Sequence, residues 1–194
     1  AISKEGKCII VEGYMDVIAM HQAGFTQAAA SLGTSFTVGQ ANLLRRYTQE
    51  VLLAYDSDGA GVNAALRAIG IVRESGLRGK VINMSPAKDP DEFIKANGAE
   101  AFQERIEQAE NSFFFELRIL ERDYDLKDPD SKTRFYREIA KKLCNFEDEV
   151  ERGNYVESVA EKYHIGYENL RKLVASHAAQ TGFVKPVTKP KPTV

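Results

Sequence analysis

The sequence predicts an α/β fold, a parallel sheet of about four strands with helices on both faces, followed by a small all-α subdomain. Three observations predict it. Short apolar runs alternate with helix-like stretches over residues 7–110, the pattern of successive βαβ units. Three of the four strand-like runs lead straight into acidic residues. From about Asn111 the strand pattern stops and only helical spacing continues.

Lys7–Val11 is a short apolar run of the kind found in a strand buried on both faces. Tyr14–Gln22 reads as a helix stopped by Gly24, and Ala28–Ser31 as a weak strand. Thr37-Val38-Gly39-Gln40 has the form of a capping box, so Ala41–Tyr47 continues as a helix. Val51–Tyr55 is the clearest strand, and Val62–Glu74 a helix closed by Gly76. Lys80–Asn83 is the fourth strand. After a proline-bearing loop come two helical pieces, Glu92–Asn97 and Ala99–Ala109, separated by Gly98.

In the all-α part, Phe113, Leu117, Leu120 and Tyr124 fall at helical spacing over Ser112–Tyr124. Asp128-Pro129 reads as an N-cap with proline at the first helical position, opening a helix to about Cys144. Two more helices follow, near Val150–Tyr163 and Tyr167–Ala178. The stretch Val159–Arg171 has the rhythm of a helix-turn-helix, with Asn169, Arg171 and Lys172 on the second helix, but reads better as a packed helical turn. The predicted division is therefore an α/β domain at residues 1–111, a helical subdomain at 112–180 and a Lys/Pro-rich linker at 181–194. The opening on Ala1, with a strand almost at once, reads as the edge of a piece cut from a longer protein.

The 194 residues, 43% hydrophobic, suffice for one or two cores, and no apolar run approaches the ~18 residues of a membrane span. Cys8 and Cys144 are far apart and form neither a disulfide framework nor a zinc site; they read as thiols in a reducing cytoplasm. His21, His164 and His177 are scattered. Residues 1–111 carry 11 Lys and Arg against 14 Asp and Glu, whereas residues 112–194 carry 15 against 14. A mildly acidic first part argues against an electrostatic clamp on nucleic acid and fits a site that recruits cations.

The acidic residues at the strand ends carry the chemistry. The first strand ends at Glu12-Gly13, with Asp16 one helical turn on; the third at Asp56-Ser57-Asp58-Gly59-Ala60-Gly61; the fourth leads to Lys88-Asp89-Pro90-Asp91-Glu92. Parallel strands deliver all three clusters to one edge of the sheet. Carboxylates crowded there raise one another's pKa, and hard divalent cations such as Mg²⁺ or Mn²⁺ relieve the repulsion. That ligand set serves phosphoryl or nucleotidyl transfer. Each cluster alone has a plainer reading: a surface turn at Asp56–Asp58, a helix cap at Asp89, a solvated helix start at Asp16. Their succession at three strand ends favours a shared site. Arg45, Arg46, Arg67, Arg73 and Lys88 are candidate phosphate contacts, with solvated helix faces as the default.

Val11-Glu12-Gly13-Tyr14-Met15-Asp16-Val17, Tyr55 through Gly61, and Asp89-Pro90-Asp91-Glu92-Phe93 resemble the motifs of the Toprim domain in bacterial DnaG-type DNA primases. Ser31-Leu32-Gly33-Thr34-Ser35-Phe36-Thr37 is similar to the segment between the first two motifs. The Glu-Gly and Asp-x-Asp elements are common to all Toprim enzymes, topoisomerases included; the Glu-Gly-Tyr-Met-Asp form with Asp-Pro-Asp-Glu downstream is more specific to primases. The resemblance implies a Toprim-like Rossmannoid sheet and a magnesium-dependent nucleotidyltransferase, with Mn²⁺ able to substitute and no zinc in this part. It implies a core metal site at Glu12, Asp56 and Asp58, completed by Asp16, Asp89 and Asp91, and a general acid or base role for Glu12.

By the same resemblance the partners are a single-stranded DNA template and ribonucleoside triphosphates, and the location is the bacterial cytoplasm at the replisome. The family's zinc ribbon and basic subdomain precede this region, and its helicase-binding domain is expected in a further carboxy-terminal part beyond the chain. A Toprim topoisomerase or nuclease, or a non-catalytic replisome binding module, are the competing readings.

Overall fold

The computed structural model describes residues 1–31 and 35–181. The expected Lys/Pro linker beyond Thr181, and Leu32, Gly33 and Thr34 of the inter-motif segment, lie outside the described residues. The chain divides into two compact units, Ala1–Glu116 and Leu117–Val194.

In the first unit a short helix, α1 (Ile2–Glu5), precedes β1 (Lys7–Val11), α2 (Tyr14–Gln22), β2 (Ala28–Ala30), α3 (Val38–Leu44), β3 (Glu50–Leu53), α4 (Gly59–Glu74), β4 (Arg78–Val81), α5 (Pro90–Glu107) and β5 (Glu110–Asn111). The sheet order is β2-β1-β3-β4-β5. The first four strands are mutually parallel, as predicted. The fifth was not foreseen: β5 runs antiparallel to β4, with Asn111 opposite Lys80 and Glu110 opposite Val81. Two polar residues carry no strand pattern, so only the neighbouring edge reveals the pairing. The third and fourth strands also begin one and two residues earlier than predicted, at Glu50 and Arg78, which are polar.

Alternation along the strands sorts side chains between two layers. Ile9, Val11, Leu52 and Ala54 share one core with Met20 of α2 and with Phe93, Phe102 and Ile106 of α5. The Phe102 ring meets Phe25 and Phe93 edge-on, at 5.1 and 5.8 Å between centroids. Cys8, Ile10, Val51 and Leu53 point the other way, toward the side where α4 packs on β3 and β4 and α3 packs on α4. Right-handed crossovers require this division. The step from β1 to β2 and the steps to β3 and β4 run in opposite directions, so their helices fall on opposite faces.

Local signals explain most boundaries. Thr37 and Gln40 make both bonds of the predicted capping box, with Gln40 N–H to Thr37 Oγ1 at 3.2 Å and Thr37 N–H to Gln40 Oε1 at 2.9 Å. The two helical pieces expected around Gly98 are one element kinked there, at φ 84° and ψ 171°.

A further helix, α6 (Ser112–Glu121), runs across the division between the units. The second unit continues with α7 (Pro129–Leu143), α8 (Glu149–Lys162) and α9 (Tyr167–Thr181). Asp128 caps α7 through Ser131 N–H, as predicted, and Asp148 caps α8 through Glu151 N–H. Buried Phe135 lies between the rings of Tyr124 and Tyr163, at 5.4 and 5.3 Å. In the helix-turn-helix-like stretch Ile165 and Leu170 are buried and Arg171 pairs with Glu168, which fits the packed turn. Among the described residues, no helix is long and apolar enough to cross a membrane.

Candidate metal centre

The strand order reverses direction between β1 and β3. The chain leaves β1 for β2 on one side, then returns to place β3 on the other. Helices departing in opposite directions open a crevice at that point, and open parallel sheets bind ligands there, beyond the strands' carboxyl ends. Glu12 directly follows β1, and Asp56 comes three residues after β3.

The two are joined: Asp56 N–H donates to Glu12 Oε1 at 3.0 Å. The loop after β4 is tied to the loop after β3 by Ser57, whose N–H donates to the Lys88 carbonyl at 3.0 Å and whose hydroxyl donates to the Ala87 carbonyl at 3.1 Å. Three strand ends are thereby drawn to one rim.

The electrostatics register the convergence. Burial pushes the Asp56 carboxyl up to about 6; the neighbouring Glu12 charge adds to this, Lys88 opposes it, and Asp16 and Asp89 contribute further. Asp16, buried at the start of α2, is also raised, first by burial and then by the charge of Asp89, while the backbone N–H groups of Asp91 and Gly13 hold it down. The structure thus brings Glu12, Asp16 and Asp89 within electrostatic reach of Asp56, and Asp89 and Asp91 within reach of Asp16.

Several of these carboxylates also hold the fold. Asp58 is exposed and caps α4, its Oδ1 accepting from Gly61 N–H at 2.8 Å. Asp89 caps α5 through Glu92 N–H at 2.8 Å, the plainer role foreseen for it. Asp91 pairs with Lys95 at 2.6 Å. With oxygens so engaged, no three His, Cys, Asp or Glu side chains among the described residues are gathered closely enough to enclose a metal ion. The rim is an open set of carboxylates, not a closed cage.

Gly59 and Gly61, read as giving a tight turn, differ in what they do. A Cβ on Gly61 would lie 2.0 Å from the Asp56 carbonyl oxygen, so the first turn of α4 packs directly on the Asp56 backbone. Gly59 has open space. On the α4 side of Glu12, a cavity of about 260 Å³ is lined by Ser31, Ser35, Phe36, Tyr55 and Arg67 among others. Burial pushes the Tyr55 phenol there up to about 12.

Of the basic residues considered as phosphate contacts, Arg45 donates to the Ser75 carbonyl at 3.2 Å and Arg73 pairs with Glu116, both structural roles. Lys88 lies at the rim itself, with Nζ 3.8 Å from Asp56 Oδ2. Ser57 was missed altogether, because a serine between two aspartates carries no signal of the loop it will meet.

The "Toprim-like" family model matches residues 9–94, and the model described as "DnaB-helicase binding domain of primase" matches residues 114–166. The second match falls within the stretch read from sequence as the helical subdomain, residues 112–180. The DNA primase of Clostridium acetobutylicum is 37% identical over 174 residues, 90% of this chain and 29% of the relative. The chain spans about a third or less of the length of the curated relatives it matches. Among solved structures, the Escherichia coli primase catalytic core superposes with a TM-score of 0.72 at 32% identity, covering 85% of this chain and 55% of that one. A DnaG primase catalytic domain bound to ssDNA superposes with a TM-score of 0.73 at 30% identity, covering 87% and 56%.

Proposed function

Because the chain belongs to the bacterial DnaG-type primases, we propose that it supplies the catalytic centre of an enzyme that joins ribonucleotides into short RNA primers on a single-stranded DNA template. The observation that carries this reading is the meeting of Glu12 and Asp56 at the reversal of strand order, with Asp16 and Asp89 near enough to act on Asp56.

Glu12, Asp56 and Asp58 hold the core divalent metal, and Asp16, Asp89 and Asp91 hold further metal at the same rim. The residues fit Mg²⁺, with Mn²⁺ able to replace it. All are oxygen donors, and burial and neighbouring charge hold Asp16 and Asp56 above the usual carboxylate range, so a cation relieves them. An open rim also suits an ion that keeps several waters and takes phosphate oxygens in place of a full protein cage. A metal held by these carboxylates would supply Lewis-acid stabilisation of charge on phosphate oxygens. Glu12 positions the edge by fixing the Asp56 backbone, and Ser57 keeps the Asp89 and Asp91 loop beside it.

The DNA-bound relative supports a DNA template for this chain. The match over residues 114–166 supports contact of the helical unit with a DnaB-type helicase. The acidic balance of residues 1–111 supplies no basic groove for single-stranded DNA, so the family's basic subdomain is needed to hold the template.

The test is a priming assay on single-stranded DNA with Mg²⁺ or Mn²⁺ and ribonucleoside triphosphates. The chain alone should bind Mn²⁺ yet make little RNA, and restoring the basic subdomain should give primers that Asp56→Asn abolishes. A restored protein that binds metal and makes no RNA defeats the reading. DNA cleavage or relaxation without ribonucleotides would favour the nuclease or topoisomerase alternative.

A further inference from the structure

The main chain of Lys88 is held from both sides. Its N–H donates to Glu92 Oε2 at 2.5 Å, and its carbonyl accepts from the N–H of Ser57 at 3.0 Å and from the Ser57 hydroxyl at 3.4 Å. These bonds place the root of the side chain beside the acidic rim. The head is not held in the same way. Nζ lies 3.8 Å from Asp56 Oδ2, well beyond the ~2.7–2.9 Å of a charge-assisted hydrogen bond, and the side chain is 61% exposed. Nearby, Lys95 reaches Asp91 at 2.6 Å. Lys88 therefore combines a fixed origin with a loose, hydrated charge.

We propose that Lys88 is a displaceable internal cation: it rests on Asp56 while no metal is bound, and turns to the triphosphate of the incoming nucleotide once a metal takes Asp56. This rests on the function proposed above. An ammonium and a divalent metal on one carboxylate repel each other, so one must leave. The lysine's flexible four-carbon stem and exposed head make it the one that moves at little cost. The polyanionic triphosphate drawn to the metal is the nearest new partner for the released charge. The negative group that faces Lys88 is Asp56, on which Glu12, Asp16 and Asp89 also act, so the lysine's departure leaves a site whose charge suits a divalent ion.

The test compares wild type, Lys88→Met and Lys88→Arg in the 194-residue chain. Free Mn²⁺ is titrated by electron paramagnetic resonance, and then ATP with Mn²⁺ is titrated by calorimetry. Lys88→Met should bind Mn²⁺ alone more tightly, by roughly three- to tenfold, since a like charge a few ångströms from the metal has been removed. The same variant should bind ATP with Mn²⁺ more weakly than wild type, and Lys88→Arg should stay close to wild type in both. A purely structural defect would weaken both and could not produce opposite signs. Unchanged or weaker Mn²⁺ binding by Lys88→Met, in the presence of a wild type that binds it, overturns this role alone. A wild-type chain that binds no Mn²⁺ overturns the metal reading, and this role with it.

Discussion

Asp56 shows how a site carboxylate trades stability for chemistry. Its pKa of about 6 in the folded chain lies above the ~3.9 of an unfolded aspartate, so the fold favours the protonated form. The sign follows: its contribution is fully present below the unfolded value and is lost as pH rises through about 6. The metal-free protein should gain stability as pH falls from 8 toward 5, and Asp56→Asn should flatten that slope while stabilising the protein at pH 8. The gain is about 1 kcal/mol, less than the whole shift implies, because the side chain is partly exposed and its neighbours titrate with it. Metal binding must run the opposite way, weakening below about pH 6 as the ligands protonate. Melting temperatures across pH with EDTA, and Mn²⁺ titrations without it, read both slopes. A metal-free protein that loses stability from pH 8 to 5, with Asp56→Asn showing the same loss, would place the charge burden elsewhere.

At the scale of elements, two turns allow sharp tests. The junction between β3 and α4 requires a bare backbone at residue 61 but not at 59. Gly61→Ala should cost about 2–4 kcal/mol and displace Asp56, since its Cβ meets the Asp56 carbonyl at 2.0 Å. Gly59→Ala, in open space on the first turn of α4, should be neutral or stabilise by about 0.5 kcal/mol. Denaturant midpoints of the two variants should move in opposite directions or, for Gly59→Ala, hardly at all. The turn ending α8 closes with His164 at φ 54°, Ile165 N–H reaching the Ala160 carbonyl and His164 N–H the Glu161 carbonyl. That is the paired bonding of a left-handed helix stop, which glycine fills without strain. His164 is exposed, so His164→Gly should raise stability by about 1 kcal/mol. A drop would mean that the imidazole makes a contact worth more than the strain.

For the whole molecule, the question is where one unit ends. Sequence spacing puts the boundary at Asn111, where strand patterning stops, whereas the compact units meet after Glu116, inside α6. The first turns of α6 belong to the α/β unit. Phe113 is buried beneath the Arg73 guanidinium, which lies 5.7 Å from the ring centroid and also pairs with Glu116. A chain ended after Asn111 should lose about 3–5 kcal/mol relative to one ended after Glu121, the cost of deleting a buried aromatic and its partners. Urea unfolding of the two truncations measures it, and equal midpoints would return the boundary to Asn111.

The kinds of element and their order are legible along the chain, because hydrophobic period, capping residues and glycine stops act over a few residues. Thr37 and Gln40, Asp128 with Pro129, and the kink at Gly98 could all be read in place. The sequence also marked acidic residues at three strand ends, since strand ends are local and parallel strands share a direction, and Glu12, Asp16 and Asp89 act on Asp56 in the fold. Long-range packing set the remainder: the pairing of Glu110–Asn111 onto β4, the Ser57 tie between two loops, and the Lys88 charge set against Asp56. Those contacts join residues about 30 positions apart, and no local pattern records which partner a polar residue will meet once the sheet brings the loops together.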